Sequence, residues 1–289
     1  MLIENNYLKN KGHGKQFKVE FDFANLQNID YHSASKKVAE QVYANKQGKL
    51  LLLYSGGVDS EYILNLFLEL KIKIQPVIIK LNPNYNDHDV KYAFDFCESK
   101  KLKPIIVDLD FDKFVKSGEI LEIAKSIKCA AYQLPSTFKI MSEINGTIIT
   151  GFPGPPHLMK NEQTGKWFIT EKEFYYTLLD YFREKKLYGC PFFPLYSADQ
   201  YWSFLTCDTM KHLAMNRIPG KLGSNSSKFI IYNKFGNYDL KERKKYTGFE
   251  LIENSEIFKH ENIKSFDKLK RYFSFYQIEY FTFIEKYKR

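Results

Sequence analysis

An α/β architecture, built on a doubly wound and mostly parallel sheet with a mixed, mainly helical C-terminal region, is predicted by three observations. Four short apolar runs, at 49–54, 74–81, 104–109 and 147–150, have the length and continuity of strands buried on both faces. Segments with helical periodicity separate them. Each run ends in a polar or glycine-rich turn, so strand, turn and helix alternate as in consecutive βαβ units.

Taken in order, residues 17–23 alternate apolar and polar side chains and predict one strand, acting as a lid or an edge. Residues 33–45 predict a helix opening at Ser33 or Ser35, with Val38, Val42 and Tyr43 on one side. The strand at 49–54 follows, then a mostly buried helix from Ser60 to about Leu70. The strand at 74–81 carries Pro76 near its start, and the polar loop 82–87 closes it. Helix 89–101, strand 104–109 and helix 111–127 repeat the unit. Residues 132–144 predict a helix that starts late because of Pro135, and 147–150 is the next strand. Beyond Pro156 the pattern changes to a hairpin, 157–160 with 166–169, then helices at 171–186 and 198–205 separated by Cys190-Pro191-Phe192-Phe193-Pro194. A final amphipathic helix is predicted from about 266 to 286. The expected division is thus an N-terminal strand segment (1–32), a nucleotide-binding domain (33–156) and a substrate region (157–289).

The most informative segment is Ser55-Gly56-Gly57-Val58-Asp59-Ser60, between the first apolar strand and its helix. Two glycines allow a sharp turn and close approach of backbone N–H groups to an anion. Ser55 and Ser60 add hydroxyls, and the helix N-terminus favours phosphate. Asp59 is read as either a helix cap or a metal ligand. A Walker A loop is excluded, because no Gly-Lys-Ser/Thr follows. This Ser-Gly-Gly-x-Asp-Ser turn resembles the PP-loop of the N-type ATP pyrophosphatases, the adenine-nucleotide alpha-hydrolase-like (HUP) superfamily that includes asparagine synthetase, GMP synthetase, NAD synthetase, the tRNA-thiolating enzymes and phosphoadenylylsulfate reductase. The match is six residues with their flanking strand and helix, and the alternation of elements extends it to about residues 35–155.

The resemblance implies ATP as cofactor, with Mg2+ on its phosphates and Asp59 as the ion's protein partner. It implies that Ser55, Gly56, Gly57, Val58, Asp59 and Ser60 hold the pyrophosphate, that backbone groups of Ile79 and Leu81 contact adenine, and that Gly151 lets the last loop pass close to the nucleotide or substrate. The implied chemistry is adenylation of a carbonyl or carboxylate-type oxygen of a small molecule or nucleobase, with release of pyrophosphate, as in a ligase. The acidic residues that asparagine synthetases carry in the loop after the last strand have no counterpart in 151–156. Independently of the resemblance, ligands of open α/β sheets lie beyond the carboxyl ends of the strands at a topological switch point, so loops 55–60, 82–88 and 151–156 are expected to converge. Arg243 and Lys244 are the leading candidates for completing charge neutralisation, with Lys221 and Lys228 behind them. Asp108 and Asp110 sit at a strand's carboxyl end, where a helix cap is the simpler role; His88 and Gln133 have only their positions to recommend them.

Composition narrows the partners. The net charge of +9 is concentrated between Lys211 and Lys245, where nine Lys or Arg face two acids and aromatic residues are interleaved. Such a stretch suits RNA or another polyanion, but a solvated face with some cations reaching toward phosphates is the preferred reading. No apolar run is long enough to span a membrane and the start lacks the features of a signal peptide, so a cytoplasmic protein without a membrane partner is expected. Self-association is left open. Cys97, Cys129, Cys190 and Cys207 form neither a Cys-x-x-Cys pair nor a zinc-like spacing, which weighs against the alternative of a sulfur-handling relative. A nucleotide sensor with little turnover is the third reading. No glutaminase domain is expected ahead of the motif, so any ammonia would come free or from another chain.

Overall fold

The computed structural model describes residues 7–216, 224–241 and 248–288. Strands β1 (Leu8–Lys11) and β2 (Lys18–Phe21) form an antiparallel ribbon, with Leu8 opposite Phe21. Helix α1 (Tyr31–Ala44) leads to β3 (Leu50–Leu53), and α2 (Val58–Glu69) to β4 (Gln75–Asn82). Then come α3 (Asp87–Ser99), β5 (Ile105–Asp110), α4 (Phe111–Lys116), α5 (Glu119–Ser126), α6 (Leu134–Glu143) and β6 (Thr147–Thr150). The hairpin β7 (His157–Lys160) and β8 (Trp167–Lys172) precedes α7 (Glu173–Glu184) and the two-residue β9 (Gly189–Cys190). Helices α8 (Ala198–Thr206), α9 (Asp208–Ala214) and α10 (Ser224–Gly236) follow, with the short turns α11 (Glu250–Glu253) and α12 (Glu261–Lys264). A 3-10 segment (Ser265–Tyr272), β10 (Phe275–Glu279) and α13 (Tyr280–Tyr287) end the chain.

The central sheet has five parallel strands in the order β5-β4-β3-β6-β9. By chain appearance that is third, second, first, fourth, fifth, an arrangement compatible with a doubly wound fold. The chain reverses its direction of winding between β3 and β6. Both strands are nearly wholly buried, as continuous Leu-Leu-Leu-Leu and Thr-Ile-Ile-Thr runs demand of central positions. A second, antiparallel sheet has the order β10-β8-β7.

Four expectations are corrected by packing. Helix α1 opens two residues early, because Asp30 is its cap: Oδ1 accepts from the Ser33 N–H at 2.9 Å and Oδ2 from the Ser33 hydroxyl at 2.7 Å. The single helix expected at 111–127 is two, broken where Gly118 takes φ +83°. The helix expected at 266–286 is interrupted by β10, whose Phe275 to Glu279 pair with Lys172 to Phe168 of β8; an open sheet edge overrides local periodicity. The strand expected at 17–23 forms over Lys18–Phe21 and is an edge strand, one of the two in its ribbon. It pairs with β1, and Phe21 and Phe23 stack into a cluster with Tyr201, Phe283 and Tyr287. The sheet also reaches past residue 156, since β9 is its fifth strand.

Candidate functional site

At the carboxyl ends of β3, β4 and β6 lies a cleft of about 1040 Å³. Ser55 to Ser60, Ile79, Leu81 and Gly151 all line it, together with Asn86, Asp89 and Phe152, so the three loops converge at the switch point between β3 and β6. Residues from the far end of the chain close it, among them Lys228, Phe229, Leu240 and Lys241.

The loop after β3 is held by its own side chains. Gly57 is the N-cap of α2 (φ −79°, ψ 158°) and its N–H donates to Ser55 Oγ at 3.3 Å, while Ser60 Oγ donates to the Gly57 carbonyl at 3.0 Å. Asp59, one residue into the helix, is therefore not its cap. The N–H groups of Val58 and Asp59 belong to the first turn, where a helix has no acceptor of its own to offer them. Gly56 is required twice: φ is +74°, and a Cβ would lie 2.6 Å from the Ala93 nitrogen on α3. Gly151 answers a different need. A Cβ there would meet the Ser60 nitrogen at 3.0 Å, so the glycine lets the strand exit lie against the start of α2.

Asp59 is the centre of an ion pair that sequence reasoning did not anticipate. Its Oδ2 accepts from Lys228 Nζ at 2.9 Å and its Oδ1 from the Tyr232 hydroxyl at 2.8 Å, both donors reaching down from α10. Lys228 and Tyr232 are four residues apart, one helical turn, and so share a face. The Lys228 side chain is only 8% exposed and that of Asp59 21%. Burial, and then the charge of Asp59, push the Tyr232 phenol well above its ordinary range, keeping it a donor. Its ring stacks on Tyr62 with centroids 4.1 Å apart. Gly154 (φ +86°) covers the pair, a Cβ there falling 3.1 Å from both Asp59 Oδ2 and Lys228 Nζ. Beside it His157 is lowered to about 4 by burial and by the charge of Lys228, which leaves the imidazole neutral at pH 7.

The wall after β4 is organised by Asn86. Its Oδ1 accepts from the Leu81 N–H at 2.8 Å and its Nδ2 donates to the Ile79 carbonyl at 2.9 Å, while the Leu81 carbonyl accepts from the Tyr85 N–H at 2.7 Å. Leu81 therefore lines the cleft with its main-chain groups already engaged. Two carboxylates also face this space. Glu61 accepts from the Tyr54 hydroxyl at 3.3 Å, and Asp89 lies beneath Gly248, where a Cβ would approach its Oδ2 to 2.9 Å.

Arg243, Lys244 and Lys221 lie outside the described residues. Asp110 caps α4 through the Lys113 N–H and Asp108 accepts from Asn82, so both carboxylates serve local structure. His88 pairs with Glu250 at 3.2 Å, and Gln133 precedes α6; neither lines the cleft. No cysteine lines it among the described residues. Cys97 and Cys129 are each pushed up to about 11, chiefly by burial, and Cys190 is raised in the same way.

Both oxygens of Asp59, the residue the resemblance assigns to magnesium, accept a hydrogen bond, one of them from a cation. Each oxygen keeps a second lone pair, so the carboxylate could still share an ion held mainly by nucleotide phosphates, whereas among the described residues no group of three His, Cys, Asp or Glu is placed to hold a metal by itself. Among the described helices none is long and apolar enough to cross a membrane. A scan of protein-family models finds no match to this chain, and a comparison with curated proteins finds none either.

Proposed function

We propose that this protein is an ATP-dependent adenylating enzyme that releases pyrophosphate. The observation that carries the reading is the Ser55–Ser60 turn, opening at the switch point of a parallel sheet into a cleft where Lys228 is anchored by Asp59. The N–H groups at the start of α2 and the Lys228 ammonium supply positive potential to a triphosphate, and the apolar wall of Val77, Ile79 and Leu81 suits a purine ring. An acceptor oxygen attacks the α-phosphorus, the bond to the β-phosphate breaks, and pyrophosphate departs with its charge met by these groups. A second nucleophile then expels AMP. Asp59 acts here by positioning Lys228, and Lys228 takes the role that sequence reasoning gave first to Arg243 and Lys244. Among the described residues no cysteine lines the cleft, so the sulfur-handling alternative draws no support from it.

The test is product analysis with ATP and a small-molecule extract. AMP and pyrophosphate are expected, and Ser60→Ala or Asp59→Ala should abolish their formation while leaving the fold intact. ADP and phosphate as products, or no binding of ATP, would overturn the reading.

A further inference from the structure

The two edges of the central sheet differ. The β9 edge is two residues long and buried, whereas β5 runs for six residues and no described strand pairs with its outer side. Ile105 is 37% exposed and Ile106 49%, and consecutive strand residues point to opposite faces, so apolar surface is open on both sides of this edge. The main chain is open as well. The Val77 carbonyl turns toward β3, where it accepts from the Tyr54 N–H, so Ile78 and Lys80 turn theirs toward β5. Their register partners, Ile106 and Asp108, therefore direct N–H and C=O away from the sheet. A parallel-sheet edge of this length with two exposed isoleucines is a template for another strand.

Charge selects the strand. The approach to β5 is basic, with exposed Lys100, Lys101 and Lys103, and its far half is acidic, with exposed Asp108 and Asp110. A parallel neighbour of the same sequence would set like charges side by side. An antiparallel copy related by a two-fold axis at Ile106, whose outward main-chain groups would then pair with those of its own copy, reverses the order, laying each basic end along the other's acidic end and the isoleucines together. We infer that the protein forms a homodimer in which the β5 strands of two copies pair antiparallel, joining two five-stranded sheets into one. The cleft is not part of this edge, since none of the β5 residues lines it.

Sedimentation of the full chain tests this. The wild type is expected at twice 34.1 kDa at micromolar concentration, and Ile106→Asp at 34.1 kDa with an unchanged circular dichroism spectrum. Raising the salt concentration, which screens the exposed Lys and Asp side chains along the two edges, should weaken self-association about tenfold or more. A wild type that stays monomeric overturns the inference. So does a dimer indifferent to Ile106→Asp or to salt.

Discussion

Replacing Lys228 by methionine probes the ion pair on which the site is built. The change keeps most of the aliphatic length and removes the charge, leaving Asp59 with the Tyr232 hydroxyl but no cation against its 21% exposed carboxylate. Breaking a fully buried pair costs about 3–5 kcal/mol; with Asp59 open to the cleft, the expectation here is about 1–3 kcal/mol. Urea denaturation should show this as a lower midpoint at an unchanged slope. Adding Asp59→Asn removes the stranded charge, so the double variant should recover about 1 kcal/mol relative to additivity. Pyrophosphate release should fall about 10²–10³-fold in Lys228→Met, the size of losing one preorganised group beside a departing anion. Stability within a few tenths of a kcal/mol of wild type, with no coupling to Asp59, would refute the pair; an unchanged rate would remove Lys228 from the chemistry.

Glu171 gives a pH-dependent prediction away from the cleft. Its carboxyl is wholly buried, accepting from Tyr201 at 2.7 Å and Tyr176 at 3.1 Å, and burial raises it from 4.5 to about 7. Unfolded, the group ionises near 4.5; folded, it keeps its proton until about 7. Folding takes up a proton between those values, so stability should fall by about 3 kcal/mol as pH rises from 4.5 to 7 and then level off. Glu171→Gln should flatten that portion of the thermal stability profile, and an unaltered profile would remove Glu171 as its cause. Gly56→Ala forces a side chain into a left-handed conformation and against the Ala93 nitrogen at 2.6 Å, so a loss of about 2–4 kcal/mol is expected in denaturant melts. A near-neutral result would mean that the loop does not rest on α3.

Four of the five parallel strands were legible because each is short, apolar and closed by a turn, and the same signals marked the convergence of their loops; β9, only Gly189–Cys190, is too short to carry such a signal. Helix starts were less legible. Asp30, which sequence reasoning passed over, captures α1 before Ser33 can, because Asp and Ser cap with similar strength and residue type does not choose between them. β10 was hidden because Phe275 to Glu279 lies within a helical pattern, and only the free edge of β8 makes the extended form better. In the site, Asn86 was one polar residue in a polar loop; its bonds to Ile79 and Leu81 exist only because the chain folds back over the end of β4. The spacing of Lys228 and Tyr232 by one helical turn was a usable signal for a shared target.

What the amino-acid sequence determined by itself is the loop: two glycines flanked by serines, between a buried strand and a buried helix, admit few conformations, and local chemistry is enough to specify them. What only the tertiary structure decided is the partner of Asp59. Helix α10 lies 169 residues further along the chain at Lys228, and no periodicity or local propensity relates it to β3. Packing brings the ammonium within 2.9 Å of the carboxylate, and that proximity makes Asp59 the anchor of a cation.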